Sequence, residues 1–535
     1  MLLQKVLNSR NISSEDKLFT DSTFFEFHDP FLMKNMSKVI SRIIEHLDLK
    51  SKIVVYGDYD LDGIAGTTIF YTVLNVFSDS VSYHIPNRME EGYGLNIESI
   101  KAIKESGCQL IITTDCGVNS KEAVAFAESV GIEVIVTDHH LPEEKKMSEC
   151  LIINPKQDDC NYPFKELCGA AVAFKVAQAL TMTLDGTKIL VAPLIDLVTL
   201  ATIADVVPLL GENRSFVKYG MNKLKKGYMR QGLRSMLNSL DIAPEKLNAT
   251  RLAFSVIPKF NATGRIDSAR KAVSLLYEAD TKKCNELVAD LLEINGRRVE
   301  LQDSYLSGVY ALIETGASVN VIVVENIHEG VIGIIASKVR DRTRRPTFIL
   351  TRSEGDLFKA SARSAESVHL FNNIIYSGAD MQCETFGGHG GACGLSIRES
   401  NIPEFKRLLV ETFDKIDASE FEKQEQCSIP VEVSELDTNS IHGLEILEPY
   451  GKSNSQPTFT VEVDVASVSL MGEFQTHAKV KIKGSNVEIL YFNYDIELLE
   501  IIKNNERIRV TGTAGLNVFR NNVTPQIILK GVEAI

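Results

Sequence analysis

Three acidic residues alternate in "GDYDLDG", residues 57–63: Asp58, Asp60 and Asp62. Asp115 closes "QLIITTDCG", and Asp138, His139 and His140 close "IEVIVTDHH". Carboxylates gathered at that density cannot all stay ionised without cations beside them. Oxygen ligands plus imidazole suit Mn²⁺ or Mg²⁺, and zinc suits them less because no cysteine joins the set. Two such cations, roughly 3.5–4 Å apart, activate a water and steady the leaving oxygen of a phosphoryl hydrolysis. Asp205 in "TIADVVPL" is a further acidic candidate, by itself as readily a loop former as a ligand. The stretch also matches the first half of a calcium loop, D-x-D-x-D-G, but the twelfth position is Ile69 and a strand precedes it, so an EF-hand is set aside.

For these residues to act together, something must bring them to one place. Each acidic motif follows a short apolar run: "KIVVY", "QLIITT" and "IEVIVT", with "VSYHIP" and "CLIINP" as companions. Between them lie helical patterns such as "IESIKAIKESG" and "SKEAVAFAESVG", each stopped by glycine. Alternation of this kind predicts an α/β doubly wound parallel sheet, whose strand ends meet at one crevice. "GAAVAFKVAQAL" (169–180) and "VAPLIDLVTLATIAD" (191–205) read as buried helices. Residues 268–315 are helical and highly charged, which predicts one long helix, or two joined near Gly296, linking two lobes. A second α/β pattern runs from 319 to about 415, and an acidic linker leads to a β-rich remainder that fits a small barrel. There "HAKVKIKG" places Lys479, Lys481 and Lys483 on one face of a strand.

The 535 residues are too many for one core, and two to four domains are expected. A charged fraction of 24% with 44% hydrophobic residues is ordinary for a globular protein. No apolar stretch is long enough to span a membrane, and the first residues lack a signal-peptide pattern. Nine scattered cysteines suit reduced thiols, so a cytoplasmic location is expected. A net charge of −14 argues against a bulk polyanion binder, although metal-holding carboxylates account for part of it. Two basic runs, 223–234 and 338–345, read equally well as solvated helix faces.

The motifs together resemble the DHH phosphoesterase superfamily and, within it, the RecJ single-strand-specific exonucleases. The matching stretches include "VVYGDYDLDGIAGTT", "IPNRMEEGYGL", "TTDCG", "VTDHHLP", "GAAVAFKVAQAL", "TIADVVPLLGENR", "FNATGRI", "EGVIGIIASKV", "SARS" and "FGGHGGACGLSI". The resemblance implies a parallel-sheet DHH domain and a smaller α/β DHHA1 domain joined by a long helix, then an OB barrel. It divides the chain into an N-terminal extension (1–50), the DHH catalytic domain (51–215), a helical region (216–315), the DHHA1 substrate-binding domain (316–416) and the OB domain (430–535).

By the same resemblance, Asp60 and Asp62 are metal ligands with Asp58 in support, and Asp115 bridges two metals. His139 is a ligand, His140 a ligand or phosphate contact, and Asp205 completes the catalytic and metal set. Arg88, Arg265, Ser361 and Arg363, with Gly388 and His389 of the "GGH" motif, match positions around substrate phosphates, including a terminal 5′ phosphate. The implied activity is 5′-to-3′ hydrolysis of single-stranded DNA to nucleoside 5′-monophosphates in repair and recombination, with two Mn²⁺ or Mg²⁺ ions as cofactors. Implied partners are single-stranded DNA, a helicase and a single-strand-binding protein; a monomer with no membrane contact is expected. The barrel lysines would meet phosphates, and Tyr491, Phe492, Tyr494 or Phe519 would stack on bases. Tyr56 stands where the pyrophosphatase branch has histidine, and no tryptophan occurs anywhere. Rival readings are a DHH phosphodiesterase of short oligoribonucleotides or cyclic dinucleotides, and a non-catalytic replication scaffold like the Cdc45 relatives.

Overall fold

The computed structural model describes residues 2–13, 15–88, 91–92, 94–184, 191–364, 367–421, 428–519 and 522–535. Its first sheet contains β1 (Ile53–Gly57), β2 (Val81–His84), β3 (Leu110–Thr114), β4 (Glu133–Thr137) and β5 (Leu151–Ile153). All pairings are parallel, in the order β2-β1-β3-β4-β5. Side chains alternate between two cores: Ile53, Val55, Leu110 and Ile112 pack on one face, Val54, Tyr56 and Ile111 on the other. That two-sided burial is why these strands read as unbroken apolar runs. The chain reverses direction across the sheet between β1 and β3, and ligands settle at such a switch point beyond the carboxyl ends of the strands.

The helix Leu61–Leu74 packs against Gly169–Thr183 and Ile195–Ala204 beneath this sheet. Buried under them, Lys175 pairs with Glu212 at 2.5 Å. Glu212 also accepts from the Tyr162 hydroxyl at 2.6 Å and the His28 amide at 3.0 Å.

The connecting helix takes the first of the two expected forms, one long helix, but begins later than the 268–315 pattern. It runs unbroken through Gly296, from Thr281 to Ala311, and the break falls earlier, after the Arg270–Tyr277 helix. The Glu278 carboxylate accepts from the Ala279 and Asp280 amides, and Asp280 caps the long helix through Lys283 N–H. These local bonds satisfy the helix ends and outweigh the modest cost of one internal glycine.

The second sheet has β6 (Asn320–Val323), β7 (Thr347–Arg352), β8 (Leu357–Arg363), β9 (Cys383–His389) and β10 (Ala392–Arg398), ordered β6-β7-β8-β10-β9. Only β6 and β7 pair in parallel. The last unit contains β11 (Ile429–Pro430), β12 (Thr458–Met471), β13 (His477–Ile482), β14 (Glu488–Tyr491), β15 (Arg507–Phe519) and β16 (Asn522–Ala534). β15 pairs with both β16 and β12, closing a barrel. Residues 1–50 do not behave as one extension: Leu2, Val6, Leu7 and Phe19 join the barrel core, whereas Met36, Val39, Ile40 and Ile43 pack under the first sheet. The fully buried Arg214 fastens this arrangement, donating to the carbonyls of Leu18, Leu447 and Ile446 while stacking over Phe19.

Candidate metal centre and phosphate pocket

The loop after β1 begins at Asp58, which is buried and has one carboxylate oxygen without a hydrogen-bond partner. Asp60 caps the Leu61–Leu74 helix by accepting from the Asp62 and Gly63 amides at 2.9 and 3.2 Å. Leu61 N–H in turn donates to the Asn261 side chain at 2.8 Å, so the "NATGR" segment holds this loop in place. Asp62 points across to the start of Gly169–Thr183, accepting from Gly169 N–H at 2.6 Å and Ala170 N–H at 2.7 Å. A helix N-terminus is a favourable seat for a carboxylate. Gly169 is required by space: a Cβ there would stand 2.6 Å from the Asp115 Cβ.

Asp115 follows β3 with φ 63°, a left-handed conformation that aspartate tolerates. Its Oδ1 lies 3.1 Å from His139 Nε2 and 4.0 Å from His140 Nδ1. His139 Nε2 is also 3.6 Å from Asp205 and 3.8 Å from Asp62. None of these contacts is aligned as a hydrogen bond, and His139 Nε2 is buried without a partner. Three sets of ligand atoms fall within 4.8 Å of one another: Asp62, His139 and Asp205; Asp115, His139 and His140; and Asp58, Asp60 and Asp115. Asp115 is common to the last two, the placement expected of a residue shared between neighbouring cations.

The sequence places Asp138 among the converging acids, and the structure gives it another task. Its carboxylate accepts from the amides of Val118, His139 and His140 and from His140 Nδ1 at 2.7 Å. It is saturated, and it orients the histidines as a carboxylate behind a metal-binding imidazole does.

Electrostatics agree with cation binding. Burial, then neighbouring carboxylates, pushes Asp58, Asp115 and Asp205 well above the usual range, and Asp62 to about 6. Burial, helped by His140, holds His139 down at about 3, neutral and ready to ligate. Burial also opposes charging of His140, but Asp138 outweighs it and lifts the imidazole to about 9. An orphaned His139 Nε2, a partnerless buried Asp58 oxygen and carboxylates that resist ionisation form a donor set fitting two divalent cations.

These shifts fix the sign of the pH dependence of stability. Between pH 9 and 7 the folded, metal-free centre holds a proton at His140, whose imidazole in the unfolded chain is protonated only near about 6.5. Stability must therefore rise as pH falls through that window. Below about 6.5, the reference value for histidine, His139 works in the opposite direction. Thermal melting in a chelator is expected to rise from pH 9 to pH 7, and saturating Mn²⁺ to raise and flatten the curve. A chelated protein whose melting is flat across that range would contradict the charged-cluster account.

The phosphate pocket forms where the second sheet meets the "NATGR" segment. Arg265 reaches towards the Gly330 carbonyl at 3.4 Å, and Arg88 lies over the Tyr59 ring at 5.2 Å. Arg363, at the end of β8, donates to Ser361 Oγ at 3.0 Å and to the Ala362 carbonyl. Burial, then the neighbouring guanidinium of Arg88, pulls both Arg265 and Arg363 down to about 10. Among the described residues none of these three arginines pairs with a carboxylate, so an interlobe salt bridge is not their role. Three crowded guanidinium groups, none in ion-pair contact with a carboxylate among the described residues, suit a polyanionic ligand.

Gly388 (φ 146°) lets the β9–β10 turn close, since a Cβ would meet the Ala392 carbonyl at 2.4 Å. Burial, then Arg363, lowers the pKa of the next residue, His389, with His140 among the weaker influences, so the two sites face each other. Its Nδ1 accepts from Gly391 N–H at 3.2 Å, which leaves Nε2 as the donor of the neutral ring.

The barrel gives less support. Lys479 pairs with Glu488 at 2.7 Å and Lys483 with Glu506 at 3.8 Å, leaving Lys481 exposed without an ion pair among the described residues. Tyr491 is buried in the barrel core and Tyr494 packs against it, whereas Phe492 is exposed; the Phe519 side chain lies outside the described residues. Tyr56 points into the core away from the acids, its hydroxyl bonded to the Gly94 carbonyl. Sequence reasoning missed Asn261 and the Gly169–Ala170 amides. Only the presence of "NATGR" and "GAAVAFK" marked them, and neither spacing nor residue type assigned the contact.

Residues 52–202 match the DHH family N-terminal domain, 316–415 the DHHA1 domain and 427–531 the RecJ OB domain. The chain is 34% identical to the single-stranded-DNA-specific exonuclease RecJ of Bacillus subtilis (strain 168), with 96% of this chain and 65% of that protein covered. Against RecJ of Escherichia coli (strain K12) identity is 31%, covering 91% of this chain and 88% of that one. A crystal structure of RecJ in complex with Mn²⁺ from Thermus thermophilus superposes with a TM-score of 0.85 at 26% identity, covering all of this chain and 76% of that one. With an acidic and imidazole centre, a facing arginine pocket and all three matched domains in order, the chain belongs to the RecJ family of single-stranded-DNA-specific exonucleases.

Proposed function

We propose that this protein is a metal-dependent exonuclease that hydrolyses single-stranded DNA from the 5′ end to nucleoside 5′-monophosphates, in DNA repair and recombination. The observation that carries this reading is the pairing of a cation-seeking acidic centre with three unpaired arginines across one cleft. Asp58, Asp60, Asp62, Asp115, His139, His140 and Asp205 would hold two Mn²⁺ or Mg²⁺ ions. When bound, such ions make water a nucleophile near neutral pH and stabilise charge on the leaving oxygen. The chain's own residues supply the rest. Asn261 and the Gly169–Ala170 amides fix where the carboxylates sit, and Asp138 fixes His140. Arg88, Arg265, Ser361 and Arg363 grip the 5′ phosphate and set which phosphodiester reaches the centre. Gly388 and His389 donate to a phosphate from the opposite wall. A barrel follows, which small-substrate phosphodiesterases of the superfamily lack, and every expected ligand is present, unlike in the scaffold relatives.

A 5′-labelled single strand, with and without its 5′ phosphate, incubated with Mn²⁺ beside a blunt duplex tests the reading. Mononucleotide release from the single strand and little from the duplex is expected. Loss of the 5′ phosphate should slow release about tenfold, the worth of one charge-assisted contact. Arg363→Ala should abolish that preference. Equal attack on the duplex, or cleavage of dinucleotides alone, would refute it.

A further inference from the structure

The helix Ile195–Ala204 delivers Asp205 to the centre and then ends in an uncommon way. Asp205 is still helical, and Val206 turns to φ 55°, with its amide 3.4 Å from the Ile203 carbonyl. This is the left-handed position after a helix that glycine or asparagine normally fills. Nine other non-glycine residues among those described have positive φ, and all are Asn, Asp, Lys, Arg, Ser or Gln. Val206 alone is β-branched, the side-chain type that tolerates this conformation worst. Nor does packing explain it. Val206 is 59% exposed, whereas the following Val207 is buried. Leu141, which follows His140, is also exposed, but its backbone is unstrained, and single exposed apolar residues are ordinary. At Val206 an apolar side chain is kept at a strained position, in open solvent, one residue from a ligand of the metal centre. Such strain persists where the side chain is needed for function.

We propose that Val206 is a substrate-contacting residue whose isopropyl group packs against the sugar and base beside the scissile phosphate. This deepens, and rests on, the exonuclease reading. The turn leaves the Val206 side chain in solvent while the Asp205 carboxylate lies 3.6 Å from His139 Nε2, so one short segment would serve both the metal and the apolar part of the nucleotide. Removing the isopropyl should relieve strain and weaken the grip on DNA together.

Val206→Asn and Val206→Gly both accept the left-handed backbone, and Val206→Ile keeps the apolar bulk. Val206→Asn should melt at or above the parent temperature and bind Mn²⁺ by calorimetry within twofold of the parent. Its KM for single-stranded DNA should rise tenfold or more, with a parallel loss of affinity by fluorescence anisotropy. Val206→Gly should repeat the KM effect, and Val206→Ile should retain parental KM. The proposal is overturned if Val206→Asn cleaves and binds DNA like the parent, or if it melts lower, which would make Val206 a packing residue. Should the parent itself neither bind nor cut single-stranded DNA, the exonuclease reading falls and Val206 with it; a parent that cuts beside an unaffected variant removes Val206 alone.

Discussion

Asp115→Asn should lose about three orders of magnitude in nucleotide release, while its metal-free form melts higher than the metal-free parent. Both effects follow from one position. Asp115 shares ligand-distance clusters with Asp58 and Asp60 and with His139 and His140, so in the proposed centre it would stand between the two cations. An amide cannot replace an anion between two cations, and the lost charge stabilisation is several kcal/mol, equivalent to about 10³ in rate. Without metal the balance reverses. Burial and the nearby carboxylates Asp62, Asp60, Asp58 and Asp205 all act against the ionised Asp115. A neutral amide of the same shape removes that repulsion. Single-turnover kinetics and melting in chelator measure the two consequences, and calorimetric Mn²⁺ titration reports whether the variant still holds both cations. Parental Mn²⁺ stoichiometry and turnover in the variant would show that Asp115 is not shared between cations.

Glu212→Ala is expected to destabilise the fold by about 3–5 kcal/mol, because it strands a buried ammonium. Lys175 and Glu212 are 1% and 0% exposed and pair at 2.5 Å. Lys175 also donates to the His28 carbonyl at 2.7 Å and lies near the rings of Tyr162 and Phe216. Burial lowers the Lys175 pKa and Glu212 opposes that, so without the carboxylate the amine is readily neutralised. The Tyr162 hydroxyl and the His28 amide lose their acceptor as well. Lys175 belongs to the helix whose first amides hold Asp62, so the destabilised variant should also bind Mn²⁺ more weakly. Replacing both partners, Lys175→Met with Glu212→Leu, should recover only part of the stability, since it removes the stranded charge but leaves the Tyr162 hydroxyl and the His28 amide without their acceptor. Urea denaturation of the single and double variants gives the comparison. A loss below about 1 kcal/mol in the single variant would mean that water already reaches the pair.

Much of the centre was legible because charge after a buried strand has few other uses. The apolar runs before Asp58, Asp115 and Asp138 predicted parallel strands, and the strands occur at those positions. The residues alone could not say that β1, β3 and β4 are neighbours. Nor could they separate Asp138 from the other acids, since its role depends on amides from Val118 to His140 folding around it. Of the two forms the pattern allows for 268–315, the single long helix occurs, but it starts at Thr281, where side-chain caps at Glu278 and Asp280 end one helix and open the next. The lysine row of β13 suggested phosphate binding, yet Glu488 and Glu506 come from other elements to pair with two of its members.

The sequence by itself determined the chemical inventory: oxygen and imidazole donors for divalent cations, arginines for phosphate, and alternating patterns that build an α/β sheet and a barrel. These depend on residue type and on periods of two and 3.6, which are local properties. Only the tertiary structure decided which donors come within ligand distance of one another, that three arginines form no ion pair among the described residues, that the first twenty residues pack with the last hundred, and that Val206 is strained in the open. Each of these is set by approach between segments remote in the chain, and such distances are fixed by packing, which no local pattern encodes.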